Sequence, residues 1–160
     1  MKMQKYLWGQ KAKSLLLLSG LILSAGCSSI QFVPPYDDQL DKDVTALQTA
    51  TETFLVKIER EGSSSPDDYK KNYTDFYDKE KVAISGLEVR AGAVAVNDQT
   101  EGQIKILNDL IGKMETRHKD SGLSVIDATQ YEQDLNRVFR AILTLEIAKK
   151  SVGTTTNSSH

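Results

Sequence analysis

The sequence predicts an all-α fold, an antiparallel bundle of about four helices. Three observations carry this. From Asp37 onward, apolar residues recur at alternating spacings of four and three, the repeat of one helix face. The breaks between these stretches are short and rich in Gly, Ser, Asn and Asp. No stretch carries the period-two alternation of a half-buried strand.

The first helix bears Leu40, Val44, Leu47, Thr51, Phe54 and Ile58, with Thr51 the single polar member. Asp37 or Asp38 is the expected N-cap and Gly62 the expected C-terminal stop. Ser65-Pro66-Asp67-Asp68 opens the second helix. There the serine caps, the proline suits the first turn, and the acids suit the positive pole of the helix dipole. The second stripe is Tyr73, Tyr77, Glu80, Ile84, Leu87, Ala91 and Val94, flanked by Tyr69 and Phe76. Read as one element, this helix reaches Val96, roughly 45 Å for about 30 residues. Gly86 and Gly92 are places for a bend or a close helix contact, so the sequence allows one helix or two.

The stretch NDQTEGQ is the next break, and Thr100 with Gln103 fits a capping box. The third stripe is Ile104, Leu107, Ile111, Met114 and His118, with Leu110 beside it. The fourth, after LSVID, is Tyr131, Leu135, Val138, Ile142 and Leu145, widened by Phe139 and Leu143. Its end at Lys149-Lys150 suits the negative pole of the dipole. Residues 151–160 read as a disordered polar tail. Short connections make neighbouring helices antiparallel, and heptad spacing sets a left-handed bundle with crossings near 20°.

The N-terminal region has a different logic. Lys2, Lys5, Lys11 and Lys13 precede a twelve-residue apolar run, Ser14 to Ala25, with no acid among them. This is the layout of a secretory signal. The run makes about 18 Å of helix, short of a bilayer core of roughly 30 Å. Ser24, Ala25 and Gly26 lead into Cys27, the single cysteine of the chain. The stretch LILSAGC resembles the lipobox of bacterial lipoproteins, although Ser24 stands where that family prefers an aliphatic residue. The resemblance implies cleavage after residue 26, lipidation of the Cys27 thiol and acylation of the new N-terminus. A chain with one thiol also builds no internal disulfide after export. Two or more acyl chains make a stable anchor, because each buried methylene contributes about 0.8 kcal/mol. Ser28 follows the cysteine in place of the Asp that favours inner-membrane retention in enterobacterial lipoproteins. The resemblance therefore implies the outer membrane, periplasmic face.

The expected organisation is a signal peptide over 1–26, the lipidated Cys27 and a tether over 27–36, a bundle over 37–150 and the tail. Pro34-Pro35 keeps the tether extended, and its nine residues after Cys27 reach about 28 Å at most. Removing the signal leaves 134 residues, enough for one domain with a core. They hold 16 basic residues against 22 acids, a net charge of −6. That sign argues against nucleic-acid binding and against adhesion to anionic lipid beyond the anchor.

The bundle contains little that carries chemistry. His118 is its one histidine, since His160 lies on the tail; it reads as a helix-end residue. No second cysteine, no repeated Glu-x-x-His pattern and no glycine-rich phosphate loop is present. No nucleophile motif accompanies His118. No metal, no cofactor and no enzymatic activity are expected. Glu80 stands in an apolar stripe, so it must be paired, exposed or raised in pKa, with Arg90, Arg137 or Arg140 as candidate partners. Tyr69, Tyr73, Phe76 and Tyr77 share one helix face. They read either as core packing or as a face for a protein partner or small ligand. The expectation is a lipid-anchored, non-catalytic module that binds a protein of the envelope. The alternative is a small-ligand binder or envelope-stress sensor with an aromatic pocket. The chain also resembles small helical envelope lipoproteins, a likeness that supplies no functional residues.

Overall fold

The computed structural model describes residues 33–157, with side chains through Val152. Cys27, the residues read as a signal peptide and most of those read as a tether lie outside the described residues. The all-α bundle is present. Helix α1 is Asp38–Glu61. A two-residue strand β1, Ser63–Ser64, leads to the short helix α2, Pro66–Asp68, a π-helical stretch Tyr69–Tyr73 and helix α3, Thr74–Gly92. Helix α4 is Asp98–Ser121, strand β2 is Leu123–Ser124, and helix α5 is Val125–Asn157. Around the bundle α1 packs on α5, α5 on α4, α4 on α3, and α3 on α1.

The helix starts follow local chemistry. The Asp37 side chain accepts from the backbone N–H groups of Gln39 and Leu40, and Gly62 closes α1 at φ 85°. Ser65 and Asp68 form a capping box. Ser124 and Asp127 repeat the same exchange at the start of α5, with Ser124 N donating to Asp127 and Asp127 N to Ser124. Each box thus satisfies otherwise orphaned donors of a first turn. The two strands between these starts pair antiparallel, Ser63 with Ser124 and Ser64 with Leu123. This ribbon, which the periodicity did not predict, ties the α1–α3 hairpin to the α4–α5 hairpin at one end of the bundle. Gly122 permits it: its φ is 81°, and a Cβ there would lie 2.5 Å from the Ser64 carbonyl oxygen.

Several expectations need correction. The sequence left open whether the second helix is continuous from 67 to 96: the chain is helical without a gap from Pro66 to Gly92, through a π-helical stretch at Tyr69–Tyr73, and ends there. The irregularity falls at the tyrosines and not at the glycines. Gly86 and Gly92 serve no close contact, since a Cβ on either would meet nothing within 4 Å. Thr100 and Gln103 are not a capping box; Thr100 is inside α4 and buried, and Asn97 occupies the N-cap position. The last helix runs past Lys150 to Asn157, because extending an existing helix adds one hydrogen bond per residue fixed. The inner face of α5 also drifts from the expected one: Glu146 and Lys149 are buried, while Leu145 is half-buried.

The core holds the expected stripes. Leu40, Val44, Leu47, Phe54 and Ile58 of α1 meet Ile84, Leu87, Ile104, Leu107, Ile111, Leu135, Phe139 and Ile142, all at most 5% exposed. Burying one such side chain contributes about 1.5–3 kcal/mol.

Candidate functional site

Three polar constellations interrupt this apolar interior. The first lies beneath the ribbon. His118 ends the α4 stripe and is fully buried. Its Nε2 is hydrogen-bonded to Ser64 Oγ at 2.8 Å and its Nδ1 to the Tyr77 hydroxyl at 3.1 Å. Rings surround it: Tyr73 at 5.3 Å, Tyr69 at 5.5 Å, Tyr77 at 5.8 Å and Phe54 at 5.9 Å between centroids. Both ring nitrogens are committed, and burial holds His118 below the ordinary histidine pKa, in the neutral form. Burial raises the Tyr77 phenol far above its usual value.

The π-helical stretch gives this cluster its shape. Tyr69 and Tyr73 bracket it, and Thr74 donates back to the Tyr69 and Lys70 carbonyls. An i→i+5 turn widens the helix locally. It lets Tyr69, Tyr73 and Tyr77 all face inward, at 8%, 6% and 0% exposure. The first two hydroxyls still reach the rim, Tyr69 donating to Glu115 at 3.1 Å and Tyr73 to Glu61 at 3.3 Å. Phe76 stacks on Phe54 at 4.2 Å. The structure places Tyr69, Tyr73 and Tyr77 in the buried core, with Phe76 half-buried against it.

The second constellation is Glu80 with Thr51. None of the three candidate arginines pairs with Glu80: Arg90 pairs with Asp37, Arg137 with Asp134, and Arg140 with neither. Its partner is the Thr51 hydroxyl at 2.8 Å, while Thr51 Oγ1 also lies 2.9 Å from the Leu47 carbonyl. Burial lifts the Glu80 pKa to about 7, against a lesser lowering by the Thr51 hydrogen bond.

The third occupies the opposite end of the bundle, where the chain enters α1. Lys149 Nζ has three N–H donors, and three acceptors surround it. They are Asn97 Oδ1 at 2.6 Å, Thr100 Oγ1 at 3.0 Å and the Glu146 carboxylate. Thr100 is also bonded to Glu146 Oε1 at 3.3 Å, and Glu146 Oε2 accepts from Asp37 N at 3.4 Å. Asn97 donates to the Ala91 carbonyl at 3.0 Å, and Arg90 bridges to Asp37 at 3.2 Å. The entry of the chain is thereby fastened to α3, α4 and α5. Sequence reading missed this network. Its signal was the Glu146-x-x-Lys149 pair, which continues the α5 stripe from Ile142 with spacing four, then three.

Among the described residues the outer surface has several shallow grooves, one of them of about 610 Å³ between α4 and α5. Ile106, Ala141 and Leu145 line it together with Gln103, Arg137 and Arg140. No protein-family model, curated protein or solved structure matches the chain.

Proposed function

We propose that this protein is a lipid-anchored, non-catalytic module of the bacterial cell envelope, held by acylated Cys27 at the periplasmic face of the outer membrane and bound to an envelope protein. The observation that carries the reading is LILSAGC, the apolar run and small residues before the single cysteine, behind a basic N-terminus. Two structural features support it. The buried polar groups of the bundle are engaged with one another, which suits a scaffold. The entry of the chain into α1 is fastened by the Glu146–Lys149 network, so tension on an N-terminal anchor meets three other helices. The partner surface in this reading is the α4–α5 groove, with an apolar floor and the guanidinium groups of Arg137 and Arg140 at its rim. Fractionation tests the anchor. The wild-type chain stays with the outer-membrane fraction after high-salt and alkaline washes, whereas Cys27→Ser leaves that fraction. A wild-type chain released by high salt alone contradicts the reading.

A further inference from the structure

The ribbon that joins the two hairpins rests on the His118 imidazole. Ser64 is the inward residue of β1, and its hydroxyl lies on His118 Nε2. The other ring nitrogen faces the Tyr77 hydroxyl, on a side chain with no exposure at all. A neutral imidazole has one N–H donor and one bare acceptor nitrogen, so only one of the two hydroxyls can give it a proton. Among the described residues neither hydroxyl has another hydrogen-bond partner. A phenol proton turned away from the ring would be buried without an acceptor. The Ser64 proton lies between the exposed Ser63 and Ser65, at the edge of solvent. Tyr77 therefore donates to Nδ1, and Nε2–H donates to Ser64 Oγ.

We infer that this cluster is an acid-operated clasp, closed while His118 is neutral and opened at the ribbon when Nδ1 takes up a proton. In the charged ring Nδ1–H and the phenol O–H face one another, and one hydrogen bond cannot hold two donors. The Tyr77 proton must turn away, to no acceptor. No anion compensates. From α2, Asp68 favours the charged ring, but it is turned into its own capping box, accepting from Ser65 N at 2.9 Å and Ser65 Oγ at 2.6 Å. From α1, Glu61 accepts from Tyr73, and Lys57 Nζ lies 4.8 Å from the centre of the Tyr73 ring. From α3, Glu80 is engaged with Thr51. On α4 itself Glu115 takes the Tyr69 hydroxyl and pairs with Lys81, and toward α5 Arg117 holds Asp127. None of these groups is hydrogen-bonded to His118.

The ribbon is the part that yields. It is two residue pairs long, and its outer members Ser63 and Ser124 are exposed. His118 lies one turn from the end of α4, where Gly122 joins the helix to β2 at φ 81°. The other end of the bundle is fastened by the Lys149 network, so opening is local. It uncovers Leu123 and the tyrosine rings beneath. Burial holds the closed imidazole below its ordinary value of 6.5. An opened ribbon restores that value. The opening constant therefore rises as pH falls below 6.5, by at most about tenfold per pH unit.

Hydrogen exchange read by mass spectrometry on the full-length chain in mild detergent tests the clasp. Protection, corrected for the intrinsic pH dependence of exchange, is compared at pH 7.5 and pH 5. Segments over 62–65 and 121–125 should lose roughly tenfold or more, while the middles of α1 and α5 keep theirs. His118→Gln keeps an amide N–H and a carbonyl oxygen without a titrating nitrogen, and should abolish the loss. Tyr77→Phe removes the opposing phenol, so the His118 midpoint, resolved by NMR from that of His160, should move to higher pH together with the opening. If His118→Gln does not fold, Tyr77→Phe decides alone. Ribbon protection that falls no more than that of the core, or falls equally in His118→Gln, overturns the proposal. So does an Nδ1–H tautomer at neutral pH by nitrogen NMR shifts, or a His118 midpoint unmoved in Tyr77→Phe.

Discussion

The Thr51 hydroxyl and the Glu80 carboxyl meet 2.8 Å apart between α1 and α3, with both residues at most 3% exposed. Thr51 has one hydroxyl proton, and the Leu47 carbonyl, 2.9 Å away, has no proton of its own. The arrangement closes when Glu80 is protonated: its O–H donates to Thr51 Oγ1, and Thr51 donates to Leu47. An ionised Glu80 would compete with that carbonyl for the same proton.

A measurable pH dependence follows. Glu80 titrates at about 7 in the fold, against 4.5 for an ordinary glutamate. A carboxyl raised by folding holds its proton more tightly in the native state. Its contribution is therefore complete below about 4.5 and is lost as pH rises through 7. The full span is on the order of 3 kcal/mol. Glu80→Gln keeps a neutral donor in the same place. Urea midpoints at pH 5.5 and pH 8 should differ less for Glu80→Gln than for wild type, and at pH 8 the variant should be the more stable by about 1–2 kcal/mol. Equal pH dependence in the two proteins would place an ionised Glu80 in the core.

His118 should act in the opposite sense. Its pKa is lowered by burial, so its contribution is present above the ordinary value of 6.5 and is lost as pH falls through the folded value. His118→Phe keeps a ring but leaves Ser64 Oγ and the Tyr77 hydroxyl without their shared partner. The expected cost is about 2–4 kcal/mol at pH 7. Tyr77→Phe costs less, about 1–2 kcal/mol. Combining the two should cost less than the sum, because they remove one common hydrogen bond.

These two sites show how far the sequence could be read. The stripe from Ile104 to His118 was legible because helical periodicity fixes which side faces inward, whatever the residue. The same rule placed Thr51 and Glu80 inside without saying that they meet, since register between helices is set by packing. The Ser64–His118 contact was not legible. It needs a two-residue ribbon, too short for any periodicity, and a π-helical stretch whose extra width breaks the spacing that patterns rely on. The Lys149 network was missed for a third reason: Glu146 and Lys149 continue the α5 stripe from Ile142, but a charged i, i+3 pair at a helix end reads by composition as solvated, and Leu145 beside it drew the stripe away.

That network gives a third prediction. Lys149→Met leaves the Glu146 carboxylate buried without its cation and should cost about 3–5 kcal/mol. Adding Glu146→Gln removes the stranded charge while keeping an oxygen to accept from Asp37 N, and should recover a large part of that loss. Thermal unfolding of the two single variants and the pair measures it. A double variant as unstable as the sum of the singles would show that the two side chains act independently.

Two backbone positions make a contrasting fourth test. Val96 is exposed at φ 64°, a β-branched residue in the left-handed region, and Val96→Gly should stabilise by about 1 kcal/mol. Gly122→Ala should destabilise by more than that, since φ 81° and the Ser64 carbonyl both oppose a Cβ.

The functional account stands on Cys27, and radiolabelled palmitate tests it most directly. Wild-type protein expressed in a Gram-negative host should incorporate label, and mass spectrometry of the purified chain should find its N-terminus at an acylated Cys27. Cys27→Ser should take up none, while its helical circular dichroism persists because the bundle begins after the tether at Asp38. A wild-type chain without label, or a Cys27→Ser chain labelled as strongly, would contradict the proposed lipid anchor.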